Sequence, residues 1–500
     1  MPGRHRDRGI QTVTTFVVHA DTAVLDPRLP ARSGVGALVS AGRVVDVGPA
    51  ASVLPAAGGG VPVTRVEVLM PGMVDAHSHG RGHALADQDL AGDADLLSLL
   101  VEFTAHTPIP AHDDAMVAAA DLVATGVTAA RVVHHSFAGA QEYCAAVTAA
   151  LAGLSFAGLS VTMALGITDR DEYLPGSTGA ELPTGFPTEL RSPRRGLSVD
   201  GWRDLVTEVV SDSAGKPGSW EVAPVNPRWC SPALLQVASR LSRDLDIGVH
   251  THLLEAAWQR GTFPATGALG VCVAAGVVND RFSAAHAVWL RPNEVAELAD
   301  LGGSLVHCPV SNRRLQVGTA AVRRWLDAGV TVAIGLDSNT DHPSDMFAAL
   351  RAAVTAAEEI GEPVSDKEIL VAVTVGGARS LSDPAWTGVI EPGARADLVG
   401  VDLASSPQTV TADLVHRASR ADIQSVWGAG RLLYERGQPI DPGVAAAKAR
   451  VQAILREDAD RRRATLRRLG ASMADIRQAW TGHPHDTPPT THPAGQAARP

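Results

Sequence analysis

Short apolar runs alternate with segments of helical periodicity through the middle of the chain. Segments such as 231–246 place apolar residues at the three- and four-residue spacing of an amphipathic helix. Continuous apolar runs separated by such helices indicate βα units around a parallel sheet. The eight runs are "GMVDAHSH" (72–79), "GVTAARVV" (126–133), "LSVTMALG" (159–166), "WEVAPV" (220–225), "IGVHTH" (247–252), "FSAAHA" (282–287), "SLVHCP" (304–309) and "VTVAIGLDS" (330–338).

Eight βα units most simply close into an α/β fold of the TIM-barrel type, a (β/α)8 barrel, here predicted over residues 71–385. Such a barrel presents its chemistry at the C-terminal ends of the strands. Polar residues at the ends of the apolar runs are therefore the first candidates for a functional site.

The two ends of the chain predict a second, smaller module. Residues 12–70 and 386–440 contain short alternating strands punctuated by Gly and Pro. Neither group has enough strands for a stable sandwich, so we expect one discontinuous β-sandwich built from both chain ends. Residues 441–480 predict a charged helical extension, and 481–500 a disordered tail. The Pro- and Gly-rich segment 169–201 is long for a βα connection and predicts a lid or a disordered insertion.

Composition narrows the class of protein. The chain has 500 residues, of which 45% are hydrophobic and 19% charged, as is typical of a soluble globular enzyme. Its formal net charge of -11 argues against nucleic acid or an anionic membrane as a partner. Four scattered cysteines without a CxxC pair favour a reducing cytoplasm. Residues 143–168 carry no charge and are long enough to span a bilayer, but their Ala, Gly, Ser and Thr content predicts a buried helix and strand.

Histidines at the end of the first run indicate a metal site. His77 and His79 are two residues apart in "PGMVDAHSH", so in a strand both imidazoles project from the same face. They would form only half of a metal site. The ends of later runs supply further candidate groups, which are His250, His252, Glu255, His286 and Asp337. Because these strand ends meet at one face of a barrel, the sequence predicts a metal site there.

Several longer motifs resemble those of one enzyme superfamily. They are "PGMVDAHSH", "HTHLLE", "AAHAVWL", "HCPVSNRRL", "GLDSNTDHPSDMF" and "GVIEPGARADLVGVDL". Over residues 12–440 the chain resembles the amidohydrolase superfamily, and within it the branch of cytosine deaminase, guanine deaminase and chlorohydrolase. These motifs are specific for the branch but not for the substrate.

The resemblance implies a role for each candidate residue. Its implied metal ligands are His77, His79, His252 and Asp337. Glu255, in the branch's H-x-x-E motif, would transfer protons, while His286 and Asp337 would orient the attacking water and complete the catalytic group. His250 lies on the same strand face as His252 but outside that motif, so it is either a supporting residue or a ligand.

The implied ligand set also predicts the cofactor. Three neutral imidazoles and a carboxylate suit one divalent ion, Zn²⁺ or Fe²⁺, with a position left for water. Such an ion lowers the pKa of its water to roughly 7. Binuclear members of the superfamily often use a lysine on the fourth strand, and "WEVAPVNPRW" has none. We therefore expect a single metal ion.

Further residues after the apolar runs are candidates for the substrate pocket. The candidate substrate-binding residues are His134, after the second run, Asn312, after the seventh, and Gln88, after the first. Trp229 is either a core residue or a wall on which a substrate ring stacks.

The resemblance implies hydrolytic deamination of an amino-substituted heterocycle of the purine, pyrimidine, pterin or triazine type. Two alternatives use the same site: hydrolysis of a cyclic amide, and displacement of chloride or an alkylamine from a triazine-type ring. The branch also implies a homodimer or larger homo-oligomer.

Overall fold

The computed structural model describes residues 15–90, 95–170, 196–213, 218–339, 341–343 and 345–481. Most of the insertion predicted at 169–201 lies outside these residues. So does all but the first residue of the tail predicted at 481–500.

Sixteen strands are present in the described residues. In chain order they are β1 (Phe16–Ala23), β2 (Arg32–Ser40), β3 (Arg43–Pro49), β4 (Val63–Pro71), β5 (Met73–Ser78), β6 (Val127–His134), β7 (Ser160–Ile167), β8 (Ser219–Pro224), β9 (Gly248–Leu253), β10 (Phe282–His286), β11 (Ser304–His307), β12 (Thr331–Ile334), β13 (Leu398–Val401), β14 (Ile423–Gly428), β15 (Arg431–Glu435) and β16 (Gln438–Pro439).

The α-helices within the described residues are Ala50–Ala57, Leu96–Glu102, Ala111–Val123, Ala140–Phe156, Val199–Asp212, Pro232–Asp244, Gly267–Ala275, Pro292–Asp300, Pro309–Arg314, Val322–Asp327, Met346–Glu359, Asp366–Val371, Gly377–Ser380, Val410–His416, Gly443–Glu457 and Ala459–Thr481. Shorter helical turns span Leu85–Gln88, Phe103–Ala105, Pro227–Trp229, Ala257–Thr262, Ala372–Gly376 and Arg420–Asp422.

Strands β5 to β12 form the predicted barrel. They pair in chain order and all neighbours are parallel. The first and last strands meet through a bridge between Ser78 and Asp337, which brings the two edges together. Each of the eight apolar runs overlaps one of these strands, so the predicted (β/α)8 fold is confirmed.

The helices around the barrel follow from local sequence signals. Ser231 caps the helix Pro232–Asp244 by accepting a hydrogen bond from the N–H of Leu234, and proline occupies the first helical position. The apolar face of this helix buries Leu234, Leu235 and Leu241. The uncharged stretch 143–168 forms most of the helix Ala140–Phe156 and strand β7, as predicted. No helix among the described residues is both long and apolar enough to cross a membrane.

The other eight strands form one sheet in the order β16-β15-β14-β13-β4-β1-β2-β3, so strands from both chain ends are interleaved. The sheet folds back on itself. The N–H of Ala396 donates to the carbonyl of Gly42 at 2.9 Å, joining the β2–β3 turn to the segment before β13. The rings of Phe16 and Trp427 lie 5.9 Å apart, although their strands are three positions apart in the sheet. This arrangement encloses a second core and matches the predicted module from both chain ends.

An ion pair is buried inside the barrel. Arg131 on β6 and Glu221 on β8 expose none of their side chains. The guanidinium donates to both carboxylate oxygens of Glu221, at 2.6 and 3.0 Å. It also donates to the carbonyl of Ala76 at 2.7 Å and to that of Ser380. One side chain thus ties together three barrel strands and the helix Gly377–Ser380.

Candidate active site

Four of the predicted ligands converge at the C-terminal ends of the barrel strands. The Nε2 atoms of His77 and His79 lie 3.4 and 3.2 Å from Oδ1 of Asp337. The Nε2 atom of His252 is 3.4 Å from that of His79. One ligand atom from each of these residues lies within 4.8 Å of the others. Strands distant in sequence therefore supply one compact cluster.

The backbone fixes the carboxylate at this point. The N–H of Asp337 donates to the carbonyl of His77 at 2.7 Å, and the N–H of Leu336 donates to the carboxylate of the buried Asp75 at 2.9 Å. Asp337 has a φ of 59° and His286 a φ of 66°, so both leave their strands in the left-handed conformation. Non-glycine residues in this conformation are strained and persist where the surroundings hold them, often at functional sites.

The donor set fits a divalent cation. Nε2 of His77 is buried and has no hydrogen-bond partner among the described residues. Nδ1 of His252 donates to the carbonyl of Val225 at 2.7 Å, which leaves the lone pair of its Nε2 facing the cluster. Burial lowers the pKa of His77 to about 4 and that of His252 well below its usual value, so both rings are neutral, as metal ligands must be. Burial opposes ionisation of Asp337, but the imidazoles of His77 and His79 hold its pKa well below the usual range.

His250 lies behind the cluster. Its Nε2 is 2.8 Å from Nδ1 of His77, and its Nδ1 is 2.8 Å from the hydroxyl of Ser283. When Nδ1 of His77 donates to His250, the Nε2 of His77 keeps its lone pair for a metal ion. Of the two alternatives for His250, this geometry fits the supporting position.

Glu255 and His286 stand beside the cluster. Oε1 of Glu255 is 3.8 Å from Nδ1 of His286, and Nε2 of His286 is 4.0 Å from Asp337. Burial raises the pKa of Glu255 to about 7. Burial alone would lower the pKa of His286, but the two carboxylates and the amide oxygen of Asn312 raise it. Two titratable groups with raised pKa values therefore flank the cluster, and groups of this kind can serve in general acid–base chemistry.

A cavity of about 650 Å³ opens onto these groups. His79, His252, Glu255, His286 and Asp337 form one part of its wall. This volume is in the range of small-molecule sites. Another part of the lining is apolar and includes Leu96, Leu99, Leu100, Phe103, Ile109 and Leu154.

The predicted pocket residues occupy different positions. His134 lines the cavity, and so does Trp229, whose indole N–H is buried without a partner in the described structure. Asn312 is buried and accepts a hydrogen bond from Nδ1 of His286 at 2.8 Å, so it contacts His286 rather than the cavity. Gln88 is fully buried, with its amide hydrogen-bonded to His83 and to the N–H of Thr107. The structure does not bring Gln88 to the cavity, because both ends of its amide are used within the protein.

Two polar residues of the site were not predicted. The hydroxyl of Ser311 donates to Oδ2 of Asp337, and Arg81 lines the cavity. Ser311 stands next to Asn312 in the "HCPVSN" motif, so its position after the seventh strand was a usable signal. Arg81 lies in "HSHGRGH", where nothing in the local pattern distinguishes a cavity residue from an exposed one.

The relatives of this chain by sequence include enzymes that are named as deaminases. The 5-methylthioadenosine/S-adenosylhomocysteine deaminase of Nitratidesulfovibrio vulgaris is 29% identical over 433 residues, which are 81% of this chain and 88% of that enzyme. The enzyme of the same name from Moorella thermoacetica is 35% identical over 228 residues, 43% of this chain and 53% of its own length.

Solved structures with a similar fold include two zinc-containing enzymes. A zinc-bound adenosine deaminase from Xanthomonas campestris has a TM-score of 0.73 and 26% identity, over 90% of this chain and 99% of that one. A variant of the atrazine chlorohydrolase TrzN from Arthrobacter aurescens, complexed with zinc and atraton, has a TM-score of 0.73 at 20% identity, over 88% of this chain and 100% of that one. The second likeness shows the fold alone.

The comparisons support a hydrolase of carbon–nitrogen bonds and fit the predicted hydrolytic deaminase of a heterocycle. The sequence model of the amidohydrolase family matches residues 68–433. With this match over most of its length, and with the predicted barrel and cluster in place, the chain belongs to the amidohydrolase family.

Proposed function

We propose that the protein is a deaminase with one divalent metal ion that replaces the exocyclic amino group of an adenine-type base by oxygen and releases ammonia. The observation that carries this proposal is the cluster of His77, His79, His252 and Asp337, whose ligand atoms lie within 4.8 Å of one another. The relatives named as deaminases of 5-methylthioadenosine and S-adenosylhomocysteine support the choice of a purine among the four predicted heterocycle types.

The same four residues would hold the ion, which is zinc or iron, and when bound it supplies a water that is acidic enough to ionise near neutral pH. A single ion is supported by the fourth barrel strand. Its buried carboxylate, Glu221, pairs with Arg131 and is therefore committed elsewhere.

The chain's own groups would manage the protons. Glu255, whose pKa burial raises to about 7, would take a proton from the attacking water and return it to the departing nitrogen. This return is necessary because an unprotonated amide ion is too basic to leave. His286 would orient the water and the ring nitrogen, held in place by Asn312 at 2.8 Å. His134 and Trp229 in the cavity wall would contact the base or its substituent.

The test is an ammonia-release screen with the purified full chain loaded with zinc or with iron. Adenosine, 5-methylthioadenosine and S-adenosylhomocysteine are compared with guanine, cytosine, a pterin and an aminotriazine. We expect ammonia and an oxo product from a purine, with one metal equivalent per chain by elemental analysis. Mass spectrometry separates the alternatives, because opening a cyclic amide adds a whole water and releases no ammonia. A chlorotriazine that loses chloride while no amino compound reacts would instead establish the halide alternative.

Assembly and location remain predictions. The expected homodimer or larger homo-oligomer is tested by light scattering of the purified chain. The predicted cytoplasmic location is tested by fractionation of the native cells.

A further inference from the structure

The candidate active-site cavity contains a guanidinium group without an ionic partner. Arg81 follows β5 and lines the cavity. Its guanidinium carbon lies 5.1 Å from the centre of the Phe103 ring, in a cation–π contact. Within the described residues, no hydrogen bond or ion pair satisfies this group. An arginine on an outer surface would need no explanation, but this one faces the space in which the substrate would bind.

The backbone around Arg81 forms a tight turn that neighbouring residues hold in place. Gly80 has a φ of 60°, and a Cβ atom added at Gly82 would lie 2.4 Å from the carbonyl oxygen of Asp114. The N–H of Gly82 donates to the Asp114 carboxylate at 2.7 Å, and the Asn339 side chain donates to the carbonyl of Arg81 at 3.1 Å. Glycine on both sides lets the chain pass close to the helix that begins at Ala111. The start of the Arg81 side chain is therefore fixed rather than free to swing.

The charges around Arg81 leave it available to a ligand. Asp114 is nearby, but its carboxylate is used by the N–H of Gly82 and by Nδ1 of His83, at 2.7 and 3.0 Å. Asp337 belongs to the metal cluster. Arg81 is half-buried, so its guanidinium is only partly hydrated, and an anion from the substrate would lower its energy. A carboxylate matches the planar fork of arginine with two parallel hydrogen bonds.

The shape of the cavity agrees with such a ligand. Leu96, Leu99 and Leu100 line the cavity from the helix that directly precedes Phe103, over which Arg81 stacks. An aliphatic or thioether chain would pack against these leucines while its charged end reaches the guanidinium.

We propose that Arg81 is a specificity-determining residue that binds a carboxylate of the substrate, so that the preferred substrate is an amino-substituted nucleoside with an acidic side chain. This inference rests on the proposed deaminase function. It adds a residue and a substrate feature that the metal cluster does not imply.

The experiment compares S-adenosylhomocysteine with its methyl ester, which differ in the charge of one group. Turnover of both is measured with the metal-loaded wild type, with Arg81→Gln and with Arg81→Lys. We expect kcat/KM for the acid to fall by about 10–100-fold in R81Q, the scale of a lost charge-assisted hydrogen bond, while that for the ester stays within about twofold. R81K should recover part of the loss, because it keeps the charge but not the fork. Arg203→Gln, at an exposed position of the helix Val199–Asp212, removes the same charge as a control.

The outcomes test the role of Arg81 and the deaminase proposal separately. An equal loss for acid and ester in R81Q, or no preference for the acid in the wild type, would overturn the assignment. If neither compound releases ammonia while adenosine or 5-methylthioadenosine does, the deaminase proposal stands and the assignment of Arg81 fails. If none of the amino compounds releases ammonia, the deaminase proposal fails, and calorimetric binding of acid and ester to the wild type and R81Q then decides the role of Arg81 separately. Thermal unfolding of R81Q checks its fold, and R81K carries the comparison if R81Q does not fold.

Discussion

Replacing Arg131 by methionine would break the ion pair inside the barrel. The change leaves the carboxylate of Glu221 buried and without its two charged hydrogen bonds of 2.6 and 3.0 Å. It also removes the donors to the carbonyls of Ala76 and Ser380. Removing one partner of a buried pair costs about 3–5 kcal/mol, because the remaining charge is uncompensated. Since 1 kcal/mol lowers Tm by roughly 2–4 °C in domains of 150–250 residues and by less in longer chains, we expect R131M to melt about 5 °C below the wild type.

The assay is thermal unfolding at one scan rate, followed by circular dichroism, for R131M, the double variant R131M/E221L and the surface control Arg203→Met. The double variant should recover much of the loss, because an apolar pair of similar size often replaces a buried ion pair at little cost. Recovery should be incomplete, since the carbonyls of Ala76 and Ser380 stay without their donors. R203M breaks only exposed ion pairs and should change Tm very little. This reasoning would be refuted if R131M had the same Tm as R203M, or if the double variant had a lower Tm than R131M.

The remaining predictions concern the active site. Glu255→Gln should keep the metal content measured by elemental analysis while kcat falls by about 10²–10⁴-fold, as for a lost acid–base group; unchanged turnover would remove Glu255 from the mechanism. His252→Ala should lose most of its bound metal, and full occupancy would show that His252 is no ligand. Asn312→Ala removes a hydrogen bond worth about 1 kcal/mol from His286, so we expect kcat to fall several-fold with little change in metal content. In the wild type, prolonged chelation should lower Tm and added zinc should restore it, because an ion that binds only the folded chain stabilises it.

The barrel could be predicted because each of its eight strands is marked by its own apolar run. A strand buried on both faces must be continuously apolar, and this requirement acts within a few residues. The candidate ligands were visible for a related reason. His77, His79 and Asp337 lie at the C-terminal ends of apolar runs, and in a barrel that local position also specifies a position in space. The family motifs then separated His252 from His250, which periodicity alone could not do.

Tertiary structure decided where side chains in the long connections point. Gln88 and Arg81 both follow the first barrel strand, but Gln88 turns inward to His83 and Thr107, whereas Arg81 faces the cavity. The turn at Arg81 depends on the close approach of Gly82 to the helix that begins at Ala111, and no local pattern encodes that contact. The pairing of Arg131 with Glu221 joins residues 90 positions apart, through barrel closure alone. The raised pKa of Glu255 likewise follows from burial that the folded barrel creates. The sequence by itself thus determined the strands and the chemical groups at their ends, while the distances, charges and specificity of the site came from contacts between distant segments.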